Sequence, residues 1–181
     1  MIARDEYIKA RDRAAGMFRD AGLVISDTEA KNIEVADFGL SNLSEEGGLI
    51  LSLANTERIA MRVMALFPGQ STPEHWHIGF DGYAGKEETL RVIKGILYLY
   101  LPGEDNLKYG RIPEGKEDMY TCRNETVMKP SDVVTIPPGR KHWFHSGPEG
   151  AVFYTVSTLA VDAKDPFTDP NVVRKTVIPD E

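Results

Sequence analysis

Near the amino end of the chain, apolar residues recur every three or four positions, with charged residues between them. This period places them on one face of a helix, which we predict over residues 3–21, and Gly22 stands where such a helix would end. The stripe is typical of a surface helix that packs on a core. Residues 26–32 (SDTEAKN) carry the cap residues that begin a second, shorter helix. The stripe consists of Tyr7, Ala10, Ala14, Met17, Phe18 and Ala21.

From Ile33 onward the pattern changes to short apolar runs rich in β-branched residues, separated by glycine, proline and aspartate. Such spacing predicts an antiparallel sandwich or barrel. Residues 102–118 are polar and rich in turn formers, which favours a surface loop. The turn-rich tail from Asp162 either folds over a barrel mouth or is solvated. The predicted strand runs are GGLILSLAN, IAMRVMALFPG, TLRVIKGILYLYLPG, SDVVTIPPG and GAVFYTVST.

Length and composition indicate one soluble globular domain. The chain has 181 residues, of which 41% are apolar and 27% charged, and both values are ordinary for one domain with a sizeable core. We divide it into a helical extension (1–32), a barrel (33–160) and a tail (161–181).

The net charge, the cysteine count and the distribution of apolar residues exclude several classes of protein. The net charge is -7 and no dense lysine or arginine block is present, so we expect no nucleic-acid partner. Cys122 is the only cysteine, which rules out an internal disulfide and fits a reducing cytoplasm. Charged residues interrupt the amino end and no long apolar window follows, so we predict neither export nor a membrane span.

Residues 73–95 contain a histidine pair followed by a carboxylate. On a strand, alternate side chains share a face, so His75 and His77 in EHWH would point to one place while Glu74 and Trp76 point the other way. A glycine-containing loop would then return the chain and bring Glu88 beside them. Imidazole with carboxylate suits a divalent transition metal better than magnesium or calcium.

A fourth ligand is predicted in IPPGRKHWFH, where His142 follows a proline-glycine turn. His142 and Phe144 would share a face, whereas His145 would point away if the strand is regular, so we treat His145 as a non-ligand. Four protein ligands on an octahedral ion leave two positions for a substrate with adjacent oxygens. The alternative is a solvated histidine pair that binds no metal.

These residues resemble the two motifs of the cupin superfamily. His75, His77, Glu88 and Gly95 match the first motif, with a longer gap before the glutamate than is commonest. The second motif is matched by Pro137, Gly139 and His142. The resemblance implies an all-β fold, the double-stranded β-helix or jelly-roll barrel, with the metal inside; the amphipathic helix would precede it.

Most of the chain is also similar to the D-lyxose isomerases within that superfamily. The resemblance implies a manganese-dependent enzyme that interconverts an aldose and its ketose, often as a homodimer, with Glu88 as the acidic ligand. One departure lies in the final core strand. Several members of the family have an acidic residue close to the position that Thr155 occupies in this chain. The carrying blocks are ADFGL, LFPGQSTPEHWH, DGYAGKEET, LYLYLPGE, TIPPGRKHWF, GPEGAV and FTDP.

Isomerisation requires stabilisation of a developing oxyanion, which an ion chelating O1 and O2 would supply as a Lewis acid. A proton route needs a base within reach of both carbons, whereas a hydride shift does not. Candidates for catalysis are Glu88, Lys86 and Asp169, with Asp165 also considered as a base. Substrate contacts are predicted for Lys86, Tyr98, Tyr100, Phe144 and Asp165. Tyrosines on strands are more often wall packing, and Asp169 is equally consistent with a turn.

Three other functions fit the same motifs. The site with iron would suit a dioxygenase, and a phosphosugar isomerase would need a cationic pocket, for which Lys86, Arg140 and Lys141 are candidates. A non-catalytic barrel that binds a small molecule is the third, since fold alone does not establish catalysis. Mn²⁺ is the expected ion, with Fe²⁺, Co²⁺, Ni²⁺ and Zn²⁺ as alternatives.

Overall fold

A computed structural model describes residues 2–178 of the chain. Both predicted helices are present, and the strands follow them in sequence. The helices are α1 (Arg4–Asp20) and α2 (Asp27–Lys31), and the strands are β1 (Glu34–Ala36), β2 (Gly48–Asn55), β3 (Ile59–Leu66), β4 (Glu88–Leu101), β5 (Asn124–Met128), β6 (Val133–Ile136) and β7 (Trp143–Thr158).

The helices begin and pack as their sequence indicates. Ser26 caps α2 in a capping box: its hydroxyl accepts from the Glu29 amide at 3.2 Å, and the Glu29 carboxylate accepts from the Ser26 amide at 2.8 Å. Such reciprocal bonds satisfy amides that the first turn leaves free. Helix α1 buries Ala10, Ala14 and Phe18 against the outer face of the sheet.

The strands form an antiparallel sheet in the order β1-β2-β3-β7-β4-β5, with β6 also paired to β4. The long strands β4 and β7 pair with each other along most of their length, and β3 adds to the other side of β7. This is the predicted double-stranded β-helix. Strands β1 and β5 were not among the predicted runs.

Three apolar clusters fill the structure. One lies between α1 and the outer sheet face, and a second fills the barrel with residues such as Leu66, Leu90 and Phe153. The third is aromatic and lies against the segment that follows β4; it consists of Tyr98, Tyr100, Tyr120, Cys122 and Trp143.

Strand β4 changes face near its middle. Val92 pairs with Phe153 and Lys94 with Val152, so Ile93 is an extra residue that forms a bulge. After it, the inward side chains are the odd-numbered Leu97 and Leu99 instead of the even-numbered ones. A bulge therefore reverses which residues of this strand face the barrel interior.

The bulged strand needs a glycine at Gly95. Its backbone has φ of 78°, in the left-handed region that L side chains rarely adopt. A Cβ at this position would also overlap the carbonyl oxygen of Gly150 on β7. The glycine of the first sequence motif is therefore a packing requirement between β4 and β7.

The tail folds over the barrel mouth, as one of the two sequence interpretations expected. After β7 a 3-10 turn covers Asp162–Lys164, and residues 165–171, here called the closing segment, run alongside the histidine pair. Residues 179–181 of the predicted tail lie outside the described part. No helix within residues 2–178 combines the length and apolar character required to cross a bilayer.

Candidate metal centre and active site

Three histidines meet at one point in the barrel. Potential ligand atoms of His75, His77 and His142 all lie within 4.8 Å of one another. Two backbone hydrogen bonds align the segments that carry them: the His75 amide donates to the His142 carbonyl at 3.0 Å, and the His142 amide donates to the His75 carbonyl at 2.8 Å. The main chain therefore fixes the spacing of two imidazoles.

The hydrogen bonds of the rings leave one nitrogen available on each. Nδ1 of His75 lies 2.9 Å from the Pro73 carbonyl, and Nδ1 of His142 lies 2.8 Å from the Arg140 carbonyl. A carbonyl only accepts, so both Nδ1 atoms carry the proton and both Nε2 atoms keep a free lone pair. Backbone carbonyls commonly orient metal-binding imidazoles in this way.

The site contains buried nitrogens with no hydrogen-bond partner among the described residues. These are both ring nitrogens of His77 and Nε2 of His142. Buried polar atoms are rarely left unpaired, because desolvation is then uncompensated. A divalent ion between the rings would satisfy the Nε2 atoms, so the residues present fit the metal that the motifs imply.

Glu88 joins the histidines at the first residue of β4. Its Oε2 lies 3.4 Å from Nε2 of His77 and 3.8 Å from Nε2 of His142, and the residue is 4% exposed. The glycine loop before it packs closely: a Cβ on Gly85 would come within 2.7 Å of the His77 carbonyl oxygen. The predicted set of three imidazoles and one carboxylate is therefore assembled in space.

The protonation states of His75, His142 and Glu88 favour the binding of a metal ion. Burial, together with the neighbouring histidines, lowers the pKa of His75 well below its usual value and that of His142 to about 4. Burial alone would raise the pKa of Glu88, but the charges of Lys86 and of the nearby His77 hold it well below its usual range. Near neutral pH, two imidazoles are thus neutral and the carboxylate is ionised.

His77 has a different environment. Burial would lower its pKa, but Asp165 and Glu88 outweigh that effect and raise it. Oδ1 of Asp165 lies 2.9 Å from Nδ1 of His77, although the two groups are not aligned as a hydrogen bond. A carboxylate beside the far nitrogen of an imidazole ligand increases the basicity of that ligand.

A cavity beside the histidines collects several of the predicted substrate residues. Lys86, Phe144 and Asp165 line it together with His75 and Glu88. Nζ of Lys86 lies 3.3 Å from Oε1 of Glu88. Residues that the sequence analysis did not select also line it: Phe38, Arg62, Asp162, Phe167 and Arg174.

Tyr98 and Tyr100 do not line this cavity, which corrects their assignment as substrate contacts. They share the parity of Glu88 in sequence, but the bulge at Ile93 turns them to the outer face of β4. The Tyr100 ring stacks on Trp143 with centroids 3.7 Å apart, and its hydroxyl donates to Glu125 at 2.6 Å. Both tyrosines belong to the aromatic cluster outside the barrel.

Asp169 is also placed elsewhere, and its assignment to catalysis is corrected. Its Oδ2 lies 3.0 Å from Nζ of Lys116, which lies 2.6 Å from Oε2 of the buried Glu46. Tyr120 donates to the other Glu46 oxygen at 2.6 Å. Asp169 therefore anchors the closing segment and does not reach the histidines.

The remaining basic candidates and His145 lie outside the cavity. Arg140 donates to the Pro102 carbonyl at 3.0 Å, and Nζ of Lys141 lies over the Trp76 ring. Nδ1 of His145 pairs with the Ser71 hydroxyl at 2.8 Å. His145 does not belong to the cluster formed by His75, His77 and His142.

The closing segment forms part of the cavity wall. Phe167 pairs with His75 as an isolated antiparallel bridge, and the Trp76 amide donates to the Pro166 carbonyl at 3.3 Å. The Thr168 amide donates to the Glu74 carbonyl at 3.0 Å. These contacts place Asp165 against His77 and Phe167 against His75.

Comparison with known proteins places the chain among sugar isomerases. It is 45% identical over 174 residues to "D-lyxose ketol-isomerase" of Cohnella laeviribosi, with 96% of each chain covered. It is 38% identical over 181 residues to "D-lyxose/D-mannose isomerase" of Thermosediminibacter oceani, covering 99% of this chain and 100% of that protein. No family model matches the chain.

Solved structures share the fold at low identity. The L-ribose isomerase of Cellulomonas parahominis superposes with a TM-score of 0.81 at 17% identity, covering 98% of both chains. That of Acinetobacter sp. DL28, in complex with L-ribose, gives 0.80 at 16% identity with the same coverage.

The barrel and its relatives define the class of protein as a cupin-fold enzyme that interconverts an aldose and a ketose. Within that class, near-complete coverage at 38–45% identity is decisive. The chain belongs to the D-lyxose isomerase family.

Proposed function

We propose that this protein is a metal-dependent isomerase that interconverts D-lyxose and D-xylulose, and also accepts D-mannose and D-fructose. The relatives that carry these sugar names cover nearly the whole chain. The observation that carries the metal dependence is that Nε2 of His77 and of His142 are buried near Glu88 and have no hydrogen-bond partner within residues 2–178.

Mn²⁺ is the proposed ion. Three imidazoles and one carboxylate form a mixed nitrogen and oxygen set that also accepts Fe²⁺, Co²⁺, Ni²⁺ or Zn²⁺. His75, His77, Glu88 and His142 would hold it. When bound, the ion would supply Lewis-acid stabilisation of the negative charge that develops on the sugar oxygens.

The other cavity residues orient the sugar and transfer the proton between its carbons. Lys86 is an ammonium donor beside Glu88 and can bind a sugar oxygen that gains negative charge. Asp165 is the tail carboxylate that reaches the cavity, which favours it over Asp169 as the group that accepts and returns the proton at C1 and C2. Phe144 and Phe167 provide apolar walls that exclude water.

The charge of the cavity favours a neutral sugar over a phosphosugar. Among the described residues that line it, the cations Arg62, Lys86 and Arg174 face three carboxylates, from Glu88, Asp162 and Asp165. A phosphate group would add about two negative charges with no spare cation to receive them. Arg140 and Lys141, the other predicted cations, lie outside the cavity.

On the basis of the family resemblance, we further propose that the protein is a homodimer in the cytoplasm.

The direct test is conversion of sugars by the purified protein. The chain is stripped of metal with a chelator, reloaded with Mn²⁺ or another divalent ion, and incubated with a panel of pentoses and hexoses, both in air and without oxygen. We expect D-xylulose from D-lyxose, at a rate that depends on added metal and is abolished in Glu88→Gln. Activity that requires oxygen would instead support a dioxygenase, and no conversion of any sugar would support a binding protein.

A further inference from the structure

Arg62 is a charged residue in the interior of the barrel. It lies on β3 within the apolar run IAMRVMAL, on the same side as Met64 and Leu66, which pack in the barrel core. Its side chain is 11% exposed. A guanidinium is seldom buried unless its donors are paired, so its position among apolar neighbours requires an explanation.

The protein satisfies only part of the Arg62 guanidinium. Nη1 lies 3.1 Å from Oδ1 and 2.9 Å from Oδ2 of Asp162. Nε is buried and has no hydrogen-bond partner among the described residues. Arg62 also lines the cavity that contains His75 and Glu88. The unpaired donor therefore belongs to a side chain that lines the proposed substrate cavity.

Asp162 does not depend on Arg62 alone. Its Oδ2 also lies 3.0 Å from Nη2 of Arg174, which is paired with Glu34 as well. Nζ of Lys86 approaches Oδ1 of Asp162 at 3.9 Å and Glu88 at 3.3 Å. Arg174 and Lys86 thus each have a second carboxylate, whereas Asp162 is the only carboxylate paired with Arg62 among the described residues.

These contacts form a path from the metal-binding end to Arg62. Glu88 contacts Lys86, Lys86 approaches Asp162, and Asp162 pairs with Arg62. A sugar whose C1 and C2 lie at the histidines must extend its other hydroxyls along the cavity. Arg62 with Asp162 offers a donor next to an acceptor, which is the complement of a hydroxyl that both accepts and donates.

We propose that Arg62 is a specificity residue that binds a distal hydroxyl, on C4 or C5, of the open-chain sugar. This inference rests on the proposed isomerase function and deepens it. The Nε–H donates to the hydroxyl oxygen, and Asp162 accepts the hydroxyl proton. The contact lies away from the reacting carbons, so it contributes mainly to substrate binding and appears in KM more than in kcat.

The test uses Arg62→Lys with shortened substrates. Lysine keeps the positive charge beside Asp162 but lacks the Nε–H group. Wild type and variant are assayed with D-lyxose, its 4-deoxy analogue and its 5-deoxy analogue. We expect Arg62→Lys to lower kcat/KM for D-lyxose by about 10- to 100-fold, mostly through KM, as for loss of a charge-assisted hydrogen bond.

The analogue that lacks the bound hydroxyl identifies the contact. For that analogue, wild type and Arg62→Lys should have nearly equal kcat/KM, because the contact is already missing. Equal losses for all three sugars would overturn the proposal. Manganese content and thermal midpoint are measured on the same samples, and a fall in manganese content with no change in KM would also overturn it.

Two further measurements keep the inference separate from other failures. Arg91→Lys, on the exposed side of β4, is the matched control and should leave kcat and KM unchanged for every substrate. If wild type isomerises no sugar, the proposed function fails, and binding of the open-chain polyol xylitol is compared instead. Tighter xylitol binding by wild type than by Arg62→Lys would support the subsite, and equal binding or none by either would overturn it.

Discussion

Glu74 and Glu88 are both buried carboxylates of the metal-site region, and their surroundings are opposite. Oε1 of Glu74 accepts from the hydroxyls of Thr121 at 2.8 Å and Thr168 at 2.6 Å, and Oε2 accepts from the Cys122 amide at 2.6 Å. Glu88 instead faces two imidazoles whose Nε2 atoms have no hydrogen-bond partner among the described residues.

The difference shows that hydrogen-bond satisfaction, more than burial, separates the structural acid Glu74 from the proposed ligand Glu88. Glu74 is 1% exposed and Glu88 is 4% exposed, so burial does not distinguish them. Three donors from two chain segments, residues 121–122 and 168, surround Glu74, so it stabilises the fold and fixes the closing segment. The proposed cation would complete the shell of Glu88 and the neighbouring histidines.

The strongest test of this comparison removes either an imidazole beside Glu88, that of His142, or one that already has a hydroxyl partner, that of His145. His142→Ala deletes a nitrogen with no other partner, and we expect loss of bound metal and a fall in kcat/KM of at least about a thousandfold, since a Lewis acid contributes several kcal/mol to transition-state stabilisation. Metal analysis and steady-state kinetics measure both. His145→Ala is the control and should retain the metal. Equal metal loss in the two variants would place His145 in the site.

Paired amide substitutions of the two acids come next. Glu88→Gln should weaken metal binding by about 100-fold or more, because a ligand charge is lost. Glu74→Gln should leave metal binding within about twofold but lower the free energy of unfolding by about 2–4 kcal/mol, because a buried charge-assisted network loses its acceptor. Metal titration and denaturant unfolding give the two quantities. A stability loss in Glu88→Gln as large as in Glu74→Gln would remove the distinction.

Local sequence patterns predicted which candidate ligands lie together because their geometry is local. Alternation on an extended chain brings His75 and His77 to one face, and a proline-glycine turn delivers His142. Long apolar runs likewise predicted β3, β4 and β7. Strand β1 has three residues and β5 (NETVM) is polar, so neither has a periodic signal long enough to detect.

The assignments that required correction depended on non-local features. Alternation from Glu88 carries Tyr98 and Tyr100 inward, and only the pairing with β7 creates the bulge that turns them out. Asp169 is held by Lys116, a contact across more than fifty residues of chain. Arg62 did have a local signal, because an arginine occupies an inward position of an apolar strand.

The closing segment provides a prediction of intermediate size. Lys116→Met leaves Glu46 and Asp169 without their shared cation, and we expect a loss of about 2–3 kcal/mol in the free energy of unfolding. Displacement of Asp165 and Phe167 should lower kcat by up to about tenfold, although the proposed metal ligands are left in place. Lys129→Met, at an exposed position, is the control. An unchanged kcat would show that the closing segment does not position the site.

The smallest expected effect on metal binding and catalysis concerns His145, whose Nδ1 pairs with the Ser71 hydroxyl, whereas Nε2 of His142 has no hydrogen-bond partner among the described residues. Burial and the charge of Arg111 lower the pKa of His145 to about 4. The unfolded chain binds this proton near pH 6.5, so stability is full above that pH and falls by up to about 3 kcal/mol as the pH drops to 4. His145→Gln should lose that part of the pH dependence. Denaturant unfolding between pH 4.5 and 7.5 measures it, and because the ligand histidines are the same in both proteins, the difference between the two curves isolates His145. Parallel curves would mean that the imidazole takes up its proton without unfolding, as a solvated side chain would.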